Sequence, residues 1–427
     1  MTDEEIMLLI DRCRTEGRAY EELNAVREAA KAFSVTETAA ALRAVAAAPF
    51  PGSTPWKDRA GDLVTTLVFS NPSPQLTGVL REIIPKLEPT ARAGAIRVTG
   101  QIGTADAYEL MIASLETFLP DGGVGAGGPG VLYWLIRRPR HREVLFPRLL
   151  NLYRLPQLRA ELDDAVAVYL RSGLLSAEEV IASPGVFKAI LKRFRAGRSS
   201  LDKRAFKAEQ AGHPGWWRDA RYQERRDELI TTLDVLGFVH DPKILSELTA
   251  LAASADPRVR LSAITGLIRH GHPVSDHTIA ALAADPETRA DLHASLDRLA
   301  MTGRFPVEHY TQAAFAESRM CAWLAHRGEL GRPPDTIETM GTVRLTDPHD
   351  NREMQYFVTR FRSPGVTATG DDWMAAVFGP CDPSDPPERL SGWSFSDFAA
   401  FGATPLGDHV RRIATQVQAI VTEHATR

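Results

Sequence analysis

The sequence predicts a mainly α chain: an α-solenoid of stacked helical pairs over residues 1–330, followed by a small α+β domain over 331–427. Three observations predict it. A helical template that opens on an arginine and closes on a glycine recurs at quasi-regular intervals. The 427-residue length exceeds what one compact core holds, so several domains or an elongated repeat is expected. Beyond residue 330 the period stops, and runs of β-branched and aromatic residues replace it.

The clearest copy is DPRVRLSAITGLIRHG, from Asp256 to Gly271. With Arg260 as position one, Ala263, Ile264, Leu267 and Ile268 fall at positions four, five, eight and nine, and Gly271 closes at twelve. Those offsets lie along one helix face. The template also fits from Arg92 (RAGAIRVTGQIG), from Arg226 (RDELITTLDVLG) and from Arg289 (RADLHASLDRLA), where Ala300 stands in the glycine position. Looser copies start at Ala60, Leu162 and Phe187, and a poor one at Pro129. Successive starts are 25 to 39 residues apart, which is room for two helices and two turns. Such a pair buries its apolar face only by stacking on the next pair. Asp256 and Asp285 stand where a side chain caps the following helix, and the proline after each suits a first helical turn. Small residues such as Ala263 let neighbouring helices approach closely.

These stretches resemble HEAT-type repeats, specifically the bacterial HEAT-like class. DPRVRLSAITGLIRHG, PTARAGAIRVTGQIG and DPETRADLHASLDRLA carry the resemblance, through an Asp-Pro turn, an arginine in the first turn of the second helix and a small residue in mid-helix. It covers about 224–305 and 89–115. It implies a right-handed superhelix and no particular activity.

The tail reads differently. In LGRPPDTIE, Pro333 and Pro334 cannot continue a helix. TIETMGTVRL and EMQYFVTRFR read as two strands joined by a turn at TDPHDN, and DDWMAAVFGP as a third strand. CDPSDPPERLSGWSFSDFAAFG reads as loop. TPLGDHVRRIATQVQAIVTEH reads as an amphipathic helix with Thr404 as N-cap and Pro405 at its first position. DDWMAAVFGP and SGWSFSDF resemble a C-terminal module that follows helical repeats in other bacterial proteins of unassigned role; the resemblance implies no catalytic residues.

Composition excludes several classes. The chain is 44% hydrophobic and 24% charged, an ordinary globular balance. No segment stays apolar for the ~20 residues that a bilayer span needs, so no membrane partner is expected. The opening MTDEEIMLLIDRCR lacks the basic region and cleavage site of a signal peptide. Cys13, Cys321 and Cys381 form neither a disulfide framework nor a zinc spacing. A cytoplasmic location is therefore expected. The 42 arginines against 8 lysines, with abundant alanine, read as the usage of a GC-rich bacterial genome.

Charge is distributed unevenly. Residues 136–226 hold 20 Lys and Arg against 10 Asp and Glu, a net of +10 in a chain of −4. The candidate partner-binding residues are Arg137, Arg138, Arg140 and Arg142 in a first cluster that also includes Arg148. A second cluster supplies Lys192, Arg193, Arg195, Arg198, Lys203, Arg204, Trp216, Trp217, Arg218 and Arg221, accompanied by Lys188, Lys207 and Tyr222. A surface of one sign attracts the opposite sign, and arginine forks grip carboxylates and phosphates in two-pronged fashion. The expected role is a non-catalytic scaffold that binds the acidic face of a protein partner. Nucleic acid is the alternative, because aromatics among arginines can stack on bases. One HEAT-like class resembles DNA glycosylases acting on alkylated bases, and Trp216, Trp217, Arg218 and Asp219 supply its residue types. RSSLDKRAFKAEQAGHPGWW reads as an insertion between repeats. A solvated helix face with its aromatics turned inward is the plainer account of the same residues.

No catalytic residue, cofactor or metal is expected. DGGVGAGGPG contains GxGxxG at Gly125, Gly127 and Gly130, but a helical stretch precedes it where a dinucleotide site needs a strand, so it reads as a linker. His270, His272, Asp276 and His277, with His293 one helix on, match no standard metal spacing. One HEAT-repeat class of iron-dependent hydroxylases uses His-Glu pairs, and this chain has no His-Glu dipeptide. Asp371, Asp372, Asp382 and Asp385 stand in loops where turn formation accounts for them. An enzyme site in the tail, or where the tail joins the repeats, would show as a closed pocket with buried carboxylates or histidines.

Overall fold

A computed structural model describes residues 2–14, 19–50, 59–119, 130–212, 215–346, 351–363, 373–396, 398–402 and 404–412. The chain is mainly helical and ends in a small four-stranded antiparallel sheet. It divides into two compact units, Met1–Lys192 and Arg193–Arg427.

The first unit contains α1 (Asp3–Arg14), α2 (Ala19–Ala30), α3 (Val35–Ala47), α4 (Arg59–Ser70), α5 (Leu76–Ile83), α6 (Pro89–Ile102) and α7 (Ala105–Phe118). The short α8 (Tyr133–Arg137), α9 (Arg142–Leu145) and α10 (Arg148–Asn151) follow, then α11 (Arg159–Arg171) and α12 (Ala177–Ile181). Helix α13 (Pro184–Ala211) carries the division between the units. Helices two places apart pack together: α1 on α3 and α3 on α5 in one row, α2 on α4 and α4 on α6 in the other. Such double rows arise when successive pairs bury their apolar faces against each other. The α4–α6 contact is tight because glycine meets glycine, and a Cβ on Gly94 would lie 3.2 Å from Gly61 Cα.

The second unit continues with α14 (Ala220–Leu236), α15 (Pro242–Leu251), α16 (Pro257–Arg269), α17 (Asp276–Ala284), α18 (Arg289–Arg298) and α19 (Gln312–Leu324). The strands are β1 (Thr336–Thr346), β2 (Glu353–Arg362), β3 (Met374–Cys381) and β4 (Trp393–Phe395), paired in that order. Helix α19 packs on the sheet. Phe315 and Met320 of α19 share one core with Ile264 and Leu296 of the helices before it and with Phe357, Phe361 and Phe378 of the sheet. Secondary structure thus changes near residue 330, while the apolar core runs across that point.

The four close template copies fall on α6, α14, α16 and α18. Gly103 and Gly271, at φ of 74° and 72°, close α6 and α16 in the left-handed region, where glycine pays no Cβ penalty. Ala300 takes the same place after α18 at φ 55°. Gly237 differs: its φ is −63°, and a Cβ there would lie 3.2 Å from Gly266 Cα, so this glycine serves helix approach and not reversal. Asp256 caps α16 by accepting from the backbone N–H groups of Arg258 and Val259. Asp285 does not cap α18; its carboxylate accepts from Glu287 N–H at 2.9 Å, in a turn that delays the helix to Arg289.

Three of the template arginines reach backbone carbonyls, and Arg159, outside the template, does the same. Arg92 donates to the carbonyls of Ile84 and Leu87 at 3.0 and 2.7 Å. Arg289 donates to Ala283 O and Ala284 O at 2.7 and 2.9 Å and to Ala314 O at 2.5 Å. Arg260 reaches Ser254 O at 3.5 Å. Arg159, heading α11, reaches Tyr153 O at 2.9 Å. These guanidiniums reach carbonyls near the end of the preceding helix or turn, where intrahelical partners run out, and Arg289 also reaches Ala314 at the start of α19.

In the tail, β1, β2 and β3 match the three expected strands. β4 was not expected, because proline and glycine dominate the run that contains it. A helical turn begins at Leu406, one residue later than the expected start, and is described to residue 412. The rest of that expected helix, the hairpin turn at 347–350, Asp371, Asp372 and the glycine run 121–129 lie outside the described residues. The run read as an insertion after Arg198 is helix as far as Ala211: it extends α13 and does not loop out.

Replacing Arg289 by Met, in a side chain only 5% exposed, removes the donors to three carbonyls and the ion pair to Glu317 3.2 Å away. Urea unfolding of the second unit is expected to show a loss of about 3–5 kcal/mol. An unchanged midpoint would remove the role assigned to this arginine.

Candidate functional site

The structure separates the candidate partner-binding residues. Arg137, Arg138, Arg140, Arg142 and Lys192 belong to the first unit; Arg193, Arg195, Arg198, Lys203, Arg204, Trp216, Trp217, Arg218 and Arg221 belong to the second.

In the first unit, Arg137 and Arg138 are exposed and rest over the rings of Tyr133 and Trp134, 5.4 and 5.3 Å from the centroids. Arg142 pairs with Glu179, and Arg148 with Glu116 at 2.5 Å. Arg140 is exposed, and its backbone is held at both ends: its N–H donates to Tyr169 Oη, and its carbonyl accepts from the same hydroxyl. Lys192 is exposed.

In the second unit, Arg195, Ser199, Lys203, Phe206 and Lys207 are exposed at spacings of three and four along α13, so they share one face. Phe206 is 60% exposed. Arg198 pairs with Asp202 at 3.0 Å, and Arg193 is half-buried. Arg204 lies 3.7 Å from Asp219 and 5.4 Å from the Tyr222 ring centroid, which ties α13 to the start of α14, where Arg221 is exposed. The tryptophans are half-buried and pack on each other: Trp216 stands edge-on to Trp217 at 6.2 Å and lies 5.1 Å from Tyr222, while Arg218 covers Trp217.

Sequence reasoning missed a second constellation, also in the second unit. Arg226 is 1% exposed, and its Nη1 lies 2.7 Å from Glu287 Oε1 and 3.8 Å from Asp256 Oδ1. Tyr222 is buried beside Asp256. Burial pushes the Glu287 and Asp256 carboxyls above their ordinary values, against the pull of Arg226. Burial and then Asp256 raise the Tyr222 phenol. Burial works against the charge on Arg258, but Asp291, Asp227, Glu287 and Asp256 together outweigh it and hold the guanidinium more firmly protonated. The motif did carry a trace of this. Arg258 and Glu287 occupy the same place in successive Asp-Pro turns, DPR and DPE, so opposite charges recur at one repeat position.

The remaining motif residues that are described lie apart or are engaged locally. Among the described residues, no three His, Cys, Asp or Glu side chains are placed to hold a metal ion. His270 Nδ1 lies 3.3 Å from His240 Nδ1, Asp276 pairs with Arg304, and His293 packs among Phe305, Tyr310 and Phe315. Gly130 N–H is taken by Glu161 at 3.0 Å. Asp382 accepts from Ser384 in a turn, and Asp385 accepts from Ser391. Cys321 is buried, and that burial drives its thiol upward, disfavouring the thiolate.

Taken together these elements define a mainly helical chain with paired helical rows and a C-terminal antiparallel sheet. No protein-family model, curated protein or solved structure matches it. No helix among the described residues is long and apolar enough to cross a membrane.

Glu287 supplies a pH test. Its folded-state pKa lies above its ordinary value, so the stability it contributes is full at low pH and falls as pH rises through the folded-state value. Relative to Glu287→Gln, the native chain is expected to lose stability as pH climbs from the carboxylate range toward neutrality, read by urea unfolding. Parallel pH profiles for the two proteins would contradict it.

Proposed function

We propose that the chain is a cytoplasmic scaffold built on HEAT-type repeats, and that it binds an acidic face of a protein partner. The observation that carries this reading is the exposed stripe Arg195, Lys203, Phe206 and Lys207 on α13, with Arg221 on the adjoining helix. These cations make no ion pair with a described residue, in contrast to Arg142, Arg148 and Arg198. An exposed phenylalanine amid them adds the apolar anchor that protein interfaces use. The double rows of helices and the recurring arginine-to-carbonyl bonds support the repeat reading. The buried, unpaired cysteines suit a reducing compartment.

Nucleic acid fits this face less well. Trp216 and Trp217 are packed against each other and Tyr222, so they offer no splayed platform for bases.

The test is affinity capture on the immobilised full chain, compared with a Arg195→Glu, Lys203→Glu, Phe206→Ser triple variant. An acidic protein held by the native chain is expected to elute with added salt and to be lost from the variant. The reading fails if no protein depends on these residues. It fails equally if DNA, with a steep salt slope, is what the variant loses.

A further inference from the structure

The ends of α14 and α16 meet at one junction in the second unit. A Cβ on Gly266 would lie 3.1 Å from Gly237 Cα, so backbone approaches backbone there. Arg269 donates to Gly237 O at 3.0 Å and lies 3.7 Å from the Phe238 ring centroid. A further tie closes the junction. His240, in the turn after α14, and His270, at the C-cap of α16, bring their Nδ1 atoms to 3.3 Å. Their ring centroids are 5.2 Å apart.

That contact depends on how many protons the pair carries. A neutral imidazole donates from one ring nitrogen and accepts at the other, whereas an imidazolium only donates. The bond between the two Nδ1 atoms therefore exists while at least one ring is neutral. With both rings protonated it has no acceptor, and two cations face each other across the same gap. The surroundings add to the strain of that state. His270 is half-buried, and its Nε2 is buried beside the Gly237 backbone. Arg269, and His272 once protonated, bear on the same ring with like charge. Asp241, next to His240 in the chain, has its Oδ1 committed to the N–H groups of Lys243 and Ile244 as the cap of α15. Lys243 is itself exposed to water. Burial, then His240, then Arg269 lower the His270 pKa from its ordinary value, against the Gly237 backbone, which raises it.

We propose that the His240–His270 pair is a pH-sensitive latch between α14 and α16, closed while at least one ring is neutral and released when both are protonated. His240 is exposed, so protons reach the pair without unfolding. The two rings titrate as a coupled unit, and the second proton is the one that opens the junction. The folded chain binds that proton less readily than the unfolded chain. The stability the pair contributes is therefore full above the ordinary histidine range and is lost as pH falls through it toward the folded-state value. This sign is opposite to that of Glu287, whose contribution falls as pH rises. The latch uses no residue of the α13 stripe, so the two readings stand or fall apart.

Hydrogen exchange of the full chain above and below the histidine range, at about pH 8 and about pH 5, tests the proposal once intrinsic exchange is corrected for. Peptides covering 237–240 and 266–270 are expected to exchange about fivefold faster at the lower pH, the worth of one hydrogen bond. His240→Asn leaves an uncharged amide in place of the titrating ring, at an exposed position where the core is untouched. It is expected to show the same protection at both pH values. Proton NMR gives a second readout: the His270 midpoint is expected to rise in His240→Asn. The proposal is overturned if the native chain and the variant respond to pH alike at these peptides, or if the His270 midpoint does not move.

Discussion

Arginines that reach back to backbone carbonyls tie several helices of this chain to the segments before them. A helix ends with carbonyls that nothing inside it can satisfy. In a stack those ends turn inward against the next helix, away from water. Arg92, Arg159 and Arg289 each reach back to the carbonyls of the segment before them. A guanidinium suits the task because it stays charged and presents several donors in one plane. At Arg92 and Arg289 the arginine that looks in sequence like part of an amphipathic pattern is therefore a clasp between consecutive elements.

Arg226 stands at the same template position and is used differently. Its neighbours are Asp256 and Glu287, side chains of the next two turns, so it faces carboxylates in place of carbonyls. The result is a buried ionic cluster at a position where Arg92 and Arg289 instead bond backbone carbonyls. Buried ions of this kind are expensive relative to an apolar core.

The basic region shows how far charge counting reaches. Twenty cations against ten acids mark 136–226 as unusual. The fold then spends several of them locally. Arg142 and Arg148 go to glutamates, Arg198 to an aspartate one turn on, and Arg137 and Arg138 to neighbouring rings. What is left exposed in the second unit is a short stripe on one helix. The division between the two compact units falls within the second cluster, leaving Lys188 and Lys192 with the first unit.

The sequence by itself determined the helical character, the places where α6, α14, α16 and α18 end, and the three main strands of the tail. Those features depend on local periodicity, on glycine's access to the left-handed region at Gly103 and Gly271, and on β-branched and aromatic runs, all of which are read over a few residues. Tertiary structure alone decided which charges meet. Arg226, Asp256 and Glu287 are about thirty residues apart in succession, and only stacking of consecutive pairs brings them within ion-pair range. It also decided that the tail's sheet shares its core with α19 and the helices before it, because that depends on which apolar faces remain uncovered once the helices have packed.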